Sequence, residues 1–227
     1  MTPPVLQLQS VSKNYGWLRP LRIAELTLAA GEQVAVMGLD QPAAEVLVNL
    51  ITGGSLPDSG DVRTFGRSTA DIGNGEEWLA TLDSFGIVSE RAPLLESLTT
   101  IQNLALPFTL EVEPPPDDIR RRAEESAGEI RLDPAMLDRR VGDLDAASRL
   151  RVRLARALAL NPMLLILEHP STTLSRKEAL QVGADVRRVA EQRRVAALTL
   201  TADREFGAAI ARRVLLLDPA TGALRRR

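Results

Sequence analysis

The stretch GEQVAVMGLDQPAAEVLVNLITGG, residues 31–54, decides the fold. Gln33–Met37 is a short, mostly apolar run between Gly31 and Gly38, which predicts a buried strand. Ala43–Ile51 is apolar over a longer span and predicts a helix. A strand, a glycine and a helix form the frame that normally holds a phosphate-binding loop. Yet the connecting LDQPAAE, residues 39–45, contains no glycine, no lysine and no hydroxyl. The frame is present and the phosphate-holding residue types are missing.

Composition narrows the setting. At 227 residues and 44% hydrophobic, the chain can bury the core of one large α/β domain, or of a core with an inserted subdomain. A net charge of −2 gives no footprint for nucleic-acid binding, and the short basic run Arg225–Arg227 reads as a solvated terminus. The absence of cysteine excludes disulfides, thiolate metal sites and a cysteine nucleophile. The amino-terminal MTPPVLQLQS has no signal-peptide pattern, and no apolar run reaches the roughly 18 residues that span a bilayer. The expectation is a cytoplasmic protein. Its only lysines are Lys13 and Lys177.

Outward from the opening stretch, Val5–Val11 and Leu21–Ala29 alternate as half-buried strands. Gly53–Val62 is a turn cluster feeding another strand, and Phe85–Glu90 is a short strand. Thr99–Leu106 predicts a helix, after which the prolines of Glu111–Ile119 break the chain. From Asp117 to about Leu158 the pattern changes to charged, arginine-rich helices. Residues 93–157 therefore read as a helical subdomain inserted between core segments 1–92 and 158–227. Strands at Met163–Glu168, Ala196–Leu200 and Arg213–Asp218 follow, with a helix over Ser175–Val189 and another before the last strand. Continuously apolar strands alternating with helices predict an α/β fold with a mostly parallel sheet covered on both faces.

In this order of elements the whole chain resembles the ATPase subunit of an ATP-binding cassette (ABC) transporter. The resemblance rests on GEQVAVMG, on SLPDSGDV, on Leu94–Phe108, and on the unbroken register of Val141–Leu174. It implies a P-loop NTPase-like core with an amino-terminal antiparallel β region and an inserted helical subdomain. The spacing of residues 94–108 looks most like the cassettes of lipid, lipoprotein and macrolide export. The resemblance also implies a membrane permease as partner, contacted by Leu94–Phe108, and a dimer formed with itself or with another ABC ATPase. The expected location is peripheral, on the inner face of the cell membrane.

The family's functional positions are altered in this sequence. In the phosphate loop, of form G-x-x-x-x-G-K-[ST], Gly38 survives. Ala43 replaces the second glycine, Ala44 the lysine, and Glu45 the magnesium-binding hydroxyl. Such a loop works because backbone N–H groups at a helix amino terminus cradle phosphate and lysine adds positive charge. Pro42 removes one donor, and Asp40 and Glu45 bring carboxylates in. A carboxylate about 4 Å from a phosphate charge costs about 4 kcal/mol at an effective dielectric of 20.

Glu168 and His169 stand where the family has the magnesium-holding aspartate and the water-polarising glutamate. Ala202 stands at the switch histidine, and Glu90 at the glutamine that senses magnesium and water. The signature motif, which the family uses to bind ATP held by the opposite subunit, is Leu144, Asp145, Ala146, Ala147 and Ser148. Tyr15 keeps the place of the aromatic that stacks on adenine.

The expectation is a pseudo-ATPase: the cassette fold without hydrolysis, with no cofactor, no metal site and no catalytic residue. Two alternatives accompany it. One is an altered ATPase using Glu168 for magnesium and His169, the only histidine, as base. The other is a soluble scaffold or regulator that has left transporters.

Overall fold

The computed structural model describes residues 3–16 and 18–226. The first half of the chain runs β1 (Leu6–Lys13), β2 (Leu21–Leu28), β3 (Gln33–Met37), α1 (Gln41–Ile51), β4 (Ser59–Thr64), β5 (Arg67–Ser68), α2 (Gly75–Leu82) and β6 (Phe85–Val88). Three helices follow: α3 (Thr100–Ala105), α4 (Asp117–Glu129) and α5 (Ala146–Leu158). The chain ends with β7 (Leu164–Glu168), α6 (Arg176–Arg193), β8 (Ala196–Leu200), α7 (Arg204–Ile210), β9 (Arg213–Leu217) and β10 (Leu224–Arg226).

Two sheets result. The amino-terminal sheet is antiparallel, in order β2-β1-β4-β5. The larger sheet has order β10-β9-β3-β8-β7-β6 and is parallel from β9 to β6. The expected α/β architecture is present. β3, β7 and β8 are buried along their whole length, as strands covered on both faces must be. Alternate residues serve different cores. Val34, Val36, Ile166 and Leu198 pack with α1 and the antiparallel sheet. Ala35, Leu165, Leu167 and Ala197 pack with α5, α6 and the other helices.

This division explains why α1 keeps its apolar face. Leu47, Leu50 and Ile51 are fully buried between the two sheets, and each contributes about 1.5–3 kcal/mol by leaving water. Helix α1 is core whatever lies at its amino terminus.

Residues 93–157 carry α3, α4 and nearly all of α5, with one isolated bridge, Thr99 to Arg140. Ion pairs join this layer to α6. Asp185, buried on α6, pairs with Arg151 of α5 at 3.0 Å and with Arg131, just after α4, at 3.2 Å. Glu129 at the end of α4 pairs with Arg193 at 2.7 Å.

Four features depart from the sequence expectations. Helix α1 begins at Gln41 rather than near Ala43, so most of the supposed loop is first-turn helix. Helix α6 continues past Val189 to Arg193, whose guanidinium also donates to Leu158 O at 2.6 Å, tying down the last turn. Helix α2 was not expected from the sequence; it is short and none of its residues is fully buried, Asn74 caps it, and Trp78 Nε1 holds it to Thr52 O at 2.9 Å.

The fourth correction concerns the basic terminus. Leu224–Arg226 is not a free tail but the edge strand β10, antiparallel to β9. The turn before it is anchored where Ala24 N donates to Gly222 O at 2.8 Å. Arg227, Met1 and Thr2 lie outside the described residues.

Candidate functional site

The carboxyl ends of β3 and β7 and the start of α1 meet at one place. Gly38 makes the turn out of β3 at φ +92°, and a Cβ there would stand 2.8 Å from Leu217 O. The contact and the positive φ both require glycine. Packing against β9 is therefore sufficient reason for Gly38 to persist.

After Gly38 the chain takes two residues to reach the helix. Asp40 is the N-cap of α1: its Oδ1 accepts from Ala43 N at 2.9 Å, and its backbone O from Ala44 N at 2.9 Å. Pro42, in the first turn, has no N–H. Of the donors that a phosphate at this helix end would need, Ala43 N–H is thus taken up by Asp40 and that of Pro42 is absent. Ala43 and Ala44 are buried, and Glu45 is half-buried, accepting from Gln41 at 3.0 Å.

Glu168, at the end of β7, has a fully buried side chain, yet its charge is not alone. Arg91 Nη2 lies 2.7 Å from its Oε2, and Gln41 Nε2 donates to its Oε1. Neither Arg91 nor Gln41 carried a signal in the sequence. Arg91 lies 77 positions from Glu168 and Gln41 lies 127, and only the parallel pairing of β6 with β7 brings the Arg91 loop alongside.

His169 follows in the left-handed region at φ 43°. Its backbone N donates to Leu200 O at 2.8 Å, and its backbone O accepts from Thr172 Oγ1. Its Nε2 is buried with no hydrogen-bond partner among the described residues. Among the described residues no carboxylate is hydrogen-bonded to the imidazole.

Glu90, beside Arg91, is held bidentately by Arg153 of α5, both contacts at 2.8 Å. This pair ties the loop after β6 to the helical layer. Asp145 is the N-cap of α5, accepting from Ser148 N at 2.7 Å. That hydrogen bond is the main reason its carboxyl titrates below the ordinary range. Leu144 and Ala147 are buried, and Ala146 and Ser148 are half-buried. Ala202 is exposed in the bend between β8 and α7.

Tyr15 lines a cleft of about 180 Å³ with Gly38, Asp40 and Ala43. Burial, and next the charge of Asp40, push its hydroxyl pKa up. Lys13 pairs with Asp58 at 2.9 Å. Among the described residues no group of three or more His, Cys, Asp or Glu is placed to hold a metal ion.

The structure thus brings Tyr15, Gly38, Ala43, Ala44, Glu45, Glu168 and His169 to one region. Glu90 joins it through the Arg91 loop. Leu144–Ser148 form the separate amino-terminal end of α5.

Comparison with known proteins places this arrangement. A family model described as ABC transporter matches residues 21–172. The lipoprotein-releasing system ATP-binding protein LolD of Alcanivorax borkumensis is 31% identical, over 98% of this chain and 97% of its own length. The sulfate/thiosulfate import ATP-binding protein CysA of Methylococcus capsulatus is 29% identical over 94% of this chain. The chain spans only 60% of that longer relative. Among solved structures, the dimeric ABC transporter cassette MJ0796 superposes with a TM-score of 0.78 at 23% identity, covering 98% of this chain and 97% of that one. The cbiO1 protein of Clostridium perfringens, part of the ABC transporter complex cbiONQ, gives 0.83 at 18% identity, covering 98% and 87%.

Proposed function

The chain belongs to the ABC transporter family of ATP-binding subunits, and from that premise we propose that it is a member that does not hydrolyse ATP. In this reading it is a structural or regulatory subunit that docks on a membrane permease. It pairs there with itself or with another cassette subunit, on the inner face of the cell membrane. No helix among the described residues is long and apolar enough to cross a membrane, so attachment falls to the permease.

One observation carries the reading: the groups that would meet a phosphate and its magnesium are already bonded to one another. Asp40 takes the Ala43 N–H, and Arg91 sets a guanidinium charge against the Glu168 carboxylate. A magnesium ion approaching Glu168 would have to displace the Arg91 guanidinium and the Gln41 amide from a buried carboxylate. A triphosphate at α1 would meet Asp40 and Glu45 without a lysine to offset them. Neither magnesium nor ATP fits these residues.

The altered-ATPase alternative draws no support from His169, whose buried Nε2 has no hydrogen-bond partner among the described residues. At the other face of a prospective dimer, Asp145 spends its carboxylate on capping α5. An anion therefore stands where a partner's nucleotide would arrive.

Docking on a permease fits a groove of about 300 Å³ lined by Ile87, Ala92, Leu106, Pro107, Arg156 and Leu160. It draws on the Leu94–Phe108 segment and on α5. Arg156 there donates to Pro93 O at 3.0 Å, and burial, followed by Arg153, depresses its pKa. Such a group suits a carboxylate on the incoming partner.

Two measurements test the proposal. Phosphate release from MgATP is expected to match buffer. Affinity purification from membranes is expected to recover a permease. Turnover of MgATP above the buffer rate would overturn the non-hydrolysing reading; recovery of the chain without a membrane protein would overturn the docking.

A further inference from the structure

Arginines from separate elements converge on one cleft at the sheet edge where the parallel strands begin. Arg194 ends α6, Arg212 and Arg213 lie at the start of β9, and Arg226 belongs to β10. With the turn Ala30–Gln33 and Glu191 they line a cavity of about 720 Å³. The cradle at Gly38 and Asp40 is at the other end of β3, a five-residue strand, so the two are separated by on the order of 15 Å.

The charges in the cleft do not balance. Four guanidinium groups face two carboxylates, and both carboxylates are engaged. Glu191 accepts from Arg187 at 3.1 Å and from Arg212 at 2.8 Å. Glu32 accepts from Ala29 N at 2.9 Å and pairs with Arg213 at 2.9 Å. Arg194 and Arg226 are exposed on this cleft, and among the described residues neither has an acidic partner. Arg194 is also fixed at its base: its backbone is left-handed at φ 54°, with its N–H donated to the last turn of α6.

We propose that this cleft is a binding site for a soluble oligophosphate, either free or as the phosphate tail of a nucleotide. Guanidinium forks match phosphate oxygens bidentately and stay charged at every physiological pH. The volume lies within the usual range of small-ligand sites, about 300–1,000 Å³. It exceeds what a single phosphate fills, so a chain of phosphates bridging Arg194 and Arg226 is the better match. The site owes nothing to the fate of the cradle, and a chain that hydrolysed ATP would still have it.

The test is titration of the whole chain with inorganic tripolyphosphate and, separately, with magnesium-free ADP, at about 20 mM and about 150 mM salt. One saturable site is expected, weakening as salt rises. Arg194→Ala is expected to weaken it about tenfold, and Arg194→Ala with Arg226→Ala to abolish it. Both side chains are exposed, so the variants are expected to melt with the parent; Tyr15→Ala, at the cradle, is expected to bind as the parent does. ADP binding within tenfold of tripolyphosphate assigns the site to nucleotides, and weaker ADP binding assigns it to free oligophosphate. Absence of saturable binding at about 1 mM overturns the proposal. So does equal binding by the double variant, or loss of binding in Tyr15→Ala.

Discussion

Removing Arg91 isolates the buried carboxylate on which the reading of the site depends. The Glu168 side chain is fully buried, and that of Arg91 is 38% exposed. With charge centres about 4 Å apart, the attraction is about 4 kcal/mol at an effective dielectric of 20, and partial exposure of Arg91 reduces it to about 2. Arg91→Ala leaves the buried carboxylate unpaired and is therefore expected to cost about 2–4 kcal/mol at pH 7. For a chain of this size that is a fall in Tm of at least about 4 °C.

One control separates this from lost packing. Adding Glu168→Gln to Arg91→Ala removes the stranded charge, and most of the lost stability is expected to return. Differential scanning fluorimetry measures both variants. A melting point for Arg91→Ala within about 1 °C of the parent at pH 7 would refute the reasoning; so would a double variant no more stable than Arg91→Ala. Magnesium at millimolar concentration is expected to leave the parent's Tm unchanged, since the guanidinium already holds the carboxylate.

Three other perturbations have definite outcomes. The triple change Ala43→Gly, Ala44→Lys and Glu45→Ser rebuilds the loop residues but leaves Arg91, His169, Ala202 and Asp145 in place; phosphate release is expected to stay at the buffer rate, and turnover would show those positions to be tolerant. Asp145→Ala removes the cap of α5 and is expected to cost about 1 kcal/mol in urea unfolding at pH 7. Because Ser148 N–H lowers the Asp145 pKa, that contribution is complete above the ordinary aspartate value near 3.9 and disappears as pH falls through the lowered one. Parent and variant are therefore expected to converge in strong acid. Asp185→Asn strips two arginines of their partner, one of them, Arg151, only 11% exposed; a loss of about 2–4 kcal/mol is expected, and a loss under about 0.5 would contradict the pairing.

Most of the framework was legible because it is written in local patterns. The apolar runs of β3, β7 and β8 announce strands buried on both faces, and the alternation in β1 and β2 announces a sheet with unlike faces. What escaped has no local signature. Helix α2 is short and buries no residue completely; β10 contains one apolar residue, Leu224, and is held by pairing. The site divides the same way. The residues that were lost could be read position by position from GEQVAVMGLDQPAAE onward. The residues that took their place could not, because Arg91 and Gln41 acquire meaning only through contacts 77 and 127 positions away.

That division bears on how a phosphate cradle can lose its chemistry and keep its shape. Gly38 is required by Leu217 O, and α1 by its burial between two sheets. Neither depends on a ligand, so neither is released when the ligand is no longer held. The carboxylate at the end of β7 is different. Once buried without a cation it would cost several kcal/mol, and a chain retaining Glu168 needs a positive charge there at all times. Arg91 supplies it permanently, where magnesium would supply it only with nucleotide bound. An ATPase needs that charge to come and go with each turnover; a fixed guanidinium suits a subunit whose site keeps one state. By the same argument Arg91 and Glu168 are a coupled pair, and their double-mutant cycle is expected to return a coupling of about 2 kcal/mol. A coupling near zero would mean that the carboxylate is stabilised from elsewhere, and the site would again be open to a metal ion.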